Sequence, residues 1–338
     1  AEMSDGNQGG VNLKVVGQRP IRPDGVDKVT GRAQFGADFH LPGMLVGRIK
    51  RSPHAHARIV SIYTSAAEKL PGVKAIVTSA DFDAGAAGEV EAGESHAAMK
   101  EVAANCLARG KVLYQGHAVA AVAATQPEIA AEALDLIEVT YEVLPHVIDV
   151  EAAMAADAPV LHDDMFTKGV TPKPGKASNV AAKHLMGRGD VAAAFKSADV
   201  IVEGRYETAA VHQGYVEPHA CVASWGADGQ STIWCSSQGQ FLVRAMVAKI
   251  LNMPLSDIKV TPAEIGGGFG GKTTVYLEPV ALALSRKCGR PVKIVMSREE
   301  VFLASGPTSG AVMDVRLAAT KAGKITGAEM TLRYQAGA

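Results

Sequence analysis

Five glycines in six positions, Gly266-Gly267-Gly268-Phe269-Gly270-Gly271, followed by Lys272-Thr273, constrain this chain more than any other stretch. Backbone so bare cannot help fill a core with side chains. It is useful where another group must approach the main chain, or where φ must be positive. The apolar run before it, 258–265, predicts a strand, and the pattern at 274–287 predicts a helix. The apolar segment 292–296 then predicts a second strand, which makes a βαβ unit with a glycine turn after its first strand. Such a turn aims backbone N–H groups and the positive end of a helix dipole at an anionic ligand.

The rest of the chain alternates in the same way, and the expected fold class is α+β. Strands are expected at 59–62, 73–78, 118–124 and 137–143. Capping-box spacings at Ser65–Glu68 and Thr125–Glu128 predict helices between them. Residues 83–98, rich in glycine, alanine and glutamate, predict a surface loop, and Gly/Pro-containing 163–180 predicts a linker. Beyond it come a short helix at 190–197, strands at 199–208, 221–225 and 232–235, and a helix at 241–251. A hairpin is expected around Lys321-Ala-Gly-Lys324, between 314–320 and 325–334.

Composition removes several function classes. A net charge of −1 and 5% aromatic residues offer neither the basic surface nor the stacking platform of a nucleic-acid binder. No apolar run approaches the ~20 residues needed to span a bilayer. The polar start, AEMSDGNQGG, lacks the pattern of a signal peptide and reads as a flexible tail. Cys106, Cys221, Cys235 and Cys288 form no C-x-x-C pair, and four reduced thiols suit a cytoplasmic protein. His54 and His56 have the spacing of two ligands on one strand face, but no third ligand accompanies them.

Taken alone, the glycine string satisfies the phosphate-loop pattern G-x-x-x-x-G-K-[ST] and contains G-x-G-x-x-G. Against a phosphate-loop NTPase, few residues follow Thr273, and the next strand ends in Ser297 rather than an aspartate that holds magnesium. Against a dinucleotide fold, Glu299 and Glu300 fall past the position of its acidic residue. A third alternative is a turn that only lets two elements pack closely.

Other motifs add a family resemblance. Ser236-Ser237-Gln238, followed after a helix and a strand by Gly266–Thr273, resembles the paired signature of the xanthine oxidase family of molybdenum hydroxylases. Asp24–Asp38, Arg51–Ile59, Tyr114–Ala120 and Tyr141–Pro145 are similar to its a/b hammerhead domain, and His212-Gln-Gly-Tyr-Val-Glu217-Pro-His219 to its first cofactor-domain signature. The resemblance runs in family order over residues 12–338. It implies a tail at 1–20, a hammerhead domain at 21–147, a linker at 148–190 and the first part of a molybdopterin-binding α+β domain at 191–338.

The resemblance also implies a chemistry. It is oxidative hydroxylation of a small aromatic heterocycle or aldehyde, with water as oxygen source. The cofactor is molybdenum-molybdopterin in its cytosine dinucleotide form, with no direct protein ligand to the metal. Electrons leave through [2Fe–2S] clusters to FAD or another acceptor on partner chains. A hydratase or reductase using the same cofactor is the alternative within the family. Gln238 is the candidate catalytic residue, with its amide near the apical oxygen of the metal, and Gly270 offers an N–H to the same oxygen. Phe269 packs beside the metal, and Gly267, Gly268 and Gly271 shape the loop around the cofactor. Thr273 stands where purine-oxidising relatives carry glutamate, which points away from a purine, and Ser305-Gly306-Pro307 replaces the usual Arg-His-Pro. Glu217 is read as structural, while Lys272 has two readings, as a cofactor contact or as a structural residue. The family's general base and substrate-gating loop have no counterpart here. A chain or segment completing the domain is therefore expected, together with an iron–sulfur subunit and an FAD subunit. Left incomplete, the domain is expected to expose the apolar faces of 232–235 and 325–334.

Overall fold

The short alternating segments of the sequence become strands that pair mostly across long stretches of chain. The computed structural model describes residues 14–82, 88–92 and 95–336. The tail expected at 1–20 therefore lies outside the described residues as far as residue 13. The chain divides into two units, Ala1–Gln34 and Phe35–Ala338. In the first, helix α1 (Gly25–Thr30) ends on Gly31, whose φ of 75° is the left-handed cap that glycine supplies. Asp24 pairs with Arg22 and Lys28 there, and these cations hold its carboxyl well below the usual range.

The second unit opens with β1 (Leu45–Arg51), β2 (Ala57–Tyr63), α2 (Ser65–Glu68), β3 (Val73–Thr78), β4 (Glu89–Ala92) and β5 (Ser95–Ala98). There follow α3 (Met99–Cys106), β6 (Lys111–Val112), β7 (Ala118–Ala124), α4 (Pro127–Leu136), β8 (Glu138–Val143) and α5 (Val150–Ala153). After an irregular stretch come α6 (Val191–Lys196), β9 (Val200–Thr208), β10 (Ala220–Trp225), β11 (Ser231–Cys235), α7 (Gln240–Ile250) and β12 (Ile258–Pro262). The last elements are α8 (Glu278–Cys288), β13 (Val292–Val295), α9 (Arg298–Ala304), β14 (Ala311–Ala319) and β15 (Ile325–Tyr334).

Strands from both ends of this unit join in one seven-stranded sheet, ordered β12-β11-β10-β13-β1-β7-β3. The seam is β1 against β13, parallel, with Leu45 opposite Val292 and Gly47 opposite Ile294. A Cβ on Gly47 would lie 2.5 Å from Ile294 Cγ1, so the seam needs glycine there. On the other side of β1, between it and β3, β7 consists of alanine and valine and is buried throughout. Ala121 and Ala123 face the large core under α7 and α8, while Ala120, Val122 and Ala124 face a second core under α2 and α4. Small side chains suit a strand covered on both faces.

A separate sheet, β15-β14-β9, has two unlike faces. Glu203, Arg316 and Glu329 form a row of ion pairs on one, where Arg316 also stacks on Phe195 of α6. The other face is apolar in register, with Val202 opposite Leu317 and Tyr206 opposite Met313, which faces Leu332. Val202, Tyr206, Met330, Leu332 and Tyr334 are all exposed there.

Several expectations need correction. Residues 89–92 and 95–98 pair as an antiparallel hairpin rather than a loop, while 83–87 and 93–94 lie outside the described residues. Neither predicted capping box forms, because α2 is entered through Thr64 and α4 through Gln126 without side-chain caps. A capping box forms instead at Ser297 and Glu300, where Arg298-Glu-Glu300 opens helix α9. His54 and His56 lie between β1 and β2. His56 Nδ1 bonds Pro145 O at 2.6 Å and His54 packs edge-on to Tyr141, so the two rings are held by separate contacts. The stretch 232–235 is not exposed, since β11 is interior to its sheet and Ile233 and Cys235 are buried; 325–334 is exposed as expected.

The seam gives a direct test. Gly47→Ala forces a methyl group against Ile294 and Val292, and overpacking of this kind costs about 1–3 kcal/mol. The expected result is a lower urea midpoint with an unchanged slope. An unshifted midpoint would show that β1 and β13 do not meet as described.

Candidate functional site

Strands β11 and β12 are parallel neighbours, with Cys235 opposite Pro262 at their carboxyl ends. Their crossover helix α7 begins at Gln240, so its N-terminus lies beside Gln238. The segments that leave these strand ends, Ser236–Gln238 and Gly266–Gly271, therefore arrive at one place. Ligands of such sheets bind outside the carboxyl ends of the strands. The helix expected right after the glycine loop starts only at Glu278, so the helix end nearest Gln238 belongs to α7 and not to α8.

The loop is held from Gln238. Its Oε1 accepts Gly270 N–H at 3.0 Å and Lys272 N–H at 3.2 Å, and its own N–H donates to Lys272 O at 2.9 Å. Within the loop, Gly271 N–H donates to Gly268 O at 2.7 Å and Thr273 Oγ1 to Gly270 O at 2.9 Å. Three glycines are required by close approach. A Cβ on Gly266 would sit 2.7 Å from Glu217 Cβ, on Gly268 2.6 Å from Gln238 Oε1, and on Gly271 2.8 Å from Tyr215 Cε1. Gly270 differs, for its φ is +90° and a Cβ there would meet nothing within 4 Å. Phe269, between Gly268 and Gly270, has φ +50° and is 73% exposed. A bulky residue in the left-handed region, with its ring in solvent, is a strained arrangement of the kind that clusters at ligand sites.

On the buried side, Glu217 Oε2 accepts both Gly266 N–H and the Lys272 ammonium, each at 2.7 Å. The side chain of Lys272 is 0% exposed, and its ammonium stands 4.9 Å from the centre of the Tyr215 ring. Burial pushes the Lys272 pKa below the usual lysine value, and Glu217 opposes that shift. The lysine is thus structural, and so is Glu217. A phosphate-loop lysine must carry its ammonium to a phosphate. This one is committed inside the protein, so the nucleotide alternative fails.

The structure brings Gln238, Gly268, Gly270 and the Lys272 backbone into direct contact, with Gly267 and Gly271 packed on Tyr215. The Gly270 N–H that the resemblance turns toward the metal is bonded to Gln238 here. Sequence reasoning passed over Tyr215, although it stands two residues before Glu217 in the motif that was singled out. Its signal was the need of Gly267 and Gly271 for a large neighbour.

The model of the molybdopterin cofactor-binding domain matches residues 173–338, and that of the aldehyde oxidase and xanthine dehydrogenase a/b hammerhead domain matches 30–145. The nicotinate dehydrogenase large molybdopterin subunit of Eubacterium barkeri is 33% identical over 97% of this chain and 72% of its own length. The CO dehydrogenase of Oligotropha carboxidovorans is 34% identical at a TM-score of 0.79, over 94% of this chain and 39% of that one. The aldehyde oxidoreductase of Desulfovibrio desulfuricans is 27% identical at a TM-score of 0.80, over 92% of this chain and 34% of that one. The chain thus spans most of the first relative but little more than a third of the other two. It belongs to the xanthine oxidase family of molybdenum enzymes, as part of the molybdopterin-binding large subunit.

Two outcomes follow from the buried pair and its neighbour. Lys272→Met leaves Glu217 buried without its cation, and breaking a buried pair costs about 3–5 kcal/mol; a loss under ~1 kcal/mol in urea unfolding would contradict the pair. Burial, with Lys272 adding repulsion, holds His219 at about 3 against 6.5 for a free histidine. His219 therefore stays neutral in the fold while the unfolded chain takes up a proton. Stability is lost as pH falls below about 6.5 toward 3, by on the order of 2 kcal/mol at pH 5. His219→Gln should flatten that slope in urea titrations at pH 7 and pH 5.

Proposed function

We propose that this chain supplies the inner wall of a molybdenum-pterin site that hydroxylates a small aromatic heterocycle or an aldehyde, with water as oxygen source. The observation that carries the proposal is the loop tip, where Phe269 is exposed at φ +50° and Gly270 faces open space. That leaves bare backbone beside the Gln238 carboxamide. The donor set fits an anionic, oxygen-bearing group. Neutral amides line it, and the nearby carboxylate of Glu217 is already paired with Lys272. An unpaired carboxylate would repel such a group.

The cofactor, when bound, supplies the two-electron acceptor and activates the oxygen that is transferred. The chain's own residues hold and shield it. Gln238, with Oε1 engaged by the loop, turns Nε2 away as a donor toward the group. Gly267, Gly268 and Gly271 let the backbone come close, Gly270 keeps the approach clear, and Phe269 covers the reacting side from water. Thr273, whose hydroxyl is tied to Gly270 O, places no carboxylate after the loop, and this supports a substrate other than a purine.

The cofactor is proposed in its cytosine dinucleotide form. Partners carrying [2Fe–2S] clusters and FAD provide the exit for electrons, in the cytoplasm. A further chain or segment is proposed to complete the domain on the apolar face of β9, β14 and β15. That face carries Val202, Tyr206, Met330 and Leu332 side by side and exposed, and contiguous apolar patches of this kind mark protein contact sites. The module boundaries at 147 and 191 stand as part of the same proposal.

The experiment is metal and pterin analysis of the native complex, followed by Gln238→Ala at equal cofactor content. Removing one preorganised donor typically costs about 2.7–4 kcal/mol, or about a hundred- to a thousandfold in kcat. A native complex without molybdenum, or unchanged turnover in the fully loaded variant, would refute the proposal.

A further inference from the structure

The glycine loop runs between two side chains. Gly268 abuts Gln238, which also binds the Gly270 N–H, whereas Gly267 and Gly271 abut Tyr215. An ideal Cβ on Gly267 would lie 3.1 Å from Tyr215 Cβ, and one on Gly271 2.8 Å from Tyr215 Cε1. Where the Tyr215 ring stands therefore limits how far the loop can draw back from Gln238.

That ring is locked at its far end. Tyr215 is 1% exposed, and its hydroxyl lies 2.7 Å from His219 Nε2 and 3.0 Å from Ser305 Oγ. Counting hydrogens sets the direction of these bonds. Ser305 Oγ–H donates to Val301 O at 2.6 Å, so the hydroxyl of Tyr215 donates to Ser305. Tyr215 has no second hydrogen, so His219 donates Nε2–H to the Tyr215 oxygen. At the outer end His212 Nδ1 accepts Gly214 N–H at 3.0 Å, and its Nε2–H therefore donates to Ser305 at 2.9 Å. Ser305 thus accepts twice and donates once, while Tyr215 accepts once and donates once. Val301 and Ser305 belong to α9 and its end, and His219 enters β10. The tyrosine is thereby fastened to two elements outside the loop.

We propose that Tyr215 is a positioning residue. Held at its hydroxyl by His219 and Ser305, its ring sets the separation of the glycine loop from Gln238, and so the seat of the group that the two hold. This rests on the molybdenum-pterin site proposed above. The hydroxyl matters here and not only the bulk, because a ring without it can slide along the glycines.

The test is Tyr215→Phe in the complete native complex, with molybdenum and pterin content, kcat, KM and the Mo(V) EPR spectrum measured together. The expected result is near-normal pterin content, shifted EPR parameters and a kcat lowered about tenfold with KM within about twofold. Ile76→Val, in the separate core under α4, is the control for a general loss of stability and should leave the spectrum unchanged. If Tyr215→Phe fails to fold, Ser305→Ala, which keeps the ring and its hydroxyl but removes that hydroxyl's acceptor together with the serine's bonds to His212 and Val301, should shift the same spectrum. A wild-type complex without molybdenum would remove the site and this inference together. A loaded complex in which Tyr215→Phe, or its substitute Ser305→Ala, keeps wild-type kcat and spectrum would overturn the positioning role alone. So would the same spectral shift in Ile76→Val.

Discussion

The buried pair between Glu217 and Lys272 is what the loop depends on. Five glycines in six positions have high conformational entropy when free, and side-chain packing within the loop cannot hold them. One carboxylate oxygen at 2.7 Å from both Gly266 N–H and the lysine ammonium clamps the first residue of the loop and the residue just past its last glycine to one point. Such a pair adds little net stability over an apolar replacement, since two charges lose their hydration. Its value is geometric: it fixes both ends of a strip of backbone that must stay bare in the middle.

The middle is defined by what it lacks. Gly268 and Gly271 have no room for a Cβ on the protein side, and Gly270 has room but no neighbour on the open side. Phe269 at the tip keeps a costly φ and an exposed ring. These features share one cause if a large flat group covers the loop. Burial of the ring and contact with the backbone then offset the strain.

The sheet explains why Gln238 is the partner of this loop. Two parallel strands in register end together, so the residues just beyond them meet although a helix separates them in sequence. The same sheet continues through the β13–β1 seam into the first third of the chain, so the strands before residue 125 and those after 219 share one core. By contrast, β9, β14 and β15 form a sheet with ion pairs on one face and uncovered apolar side chains on the other. That apolar face is where the completing layer of protein is proposed.

Local pattern in the sequence was enough for most strands and helices, because alternation and apolar spacing are properties of neighbouring residues. The buried strand at 118–124 and the hairpin at 321–324 were legible for that reason. The glycine string and Ser-Ser-Gln marked the candidate site, since so bare a backbone has few other uses. The sequence alone could not decide what Lys272 does, because an ammonium is charged wherever it points. Only the approach of Glu217, from a distant segment, turned it inward. Nor could it show Tyr215, an ordinary core residue by type, which matters through two glycines more than fifty positions away. Residue chemistry and local order were set by the sequence. Which groups face one another was decided by tertiary packing, because contacts across long separations depend on how the strands pair and not on neighbouring residues.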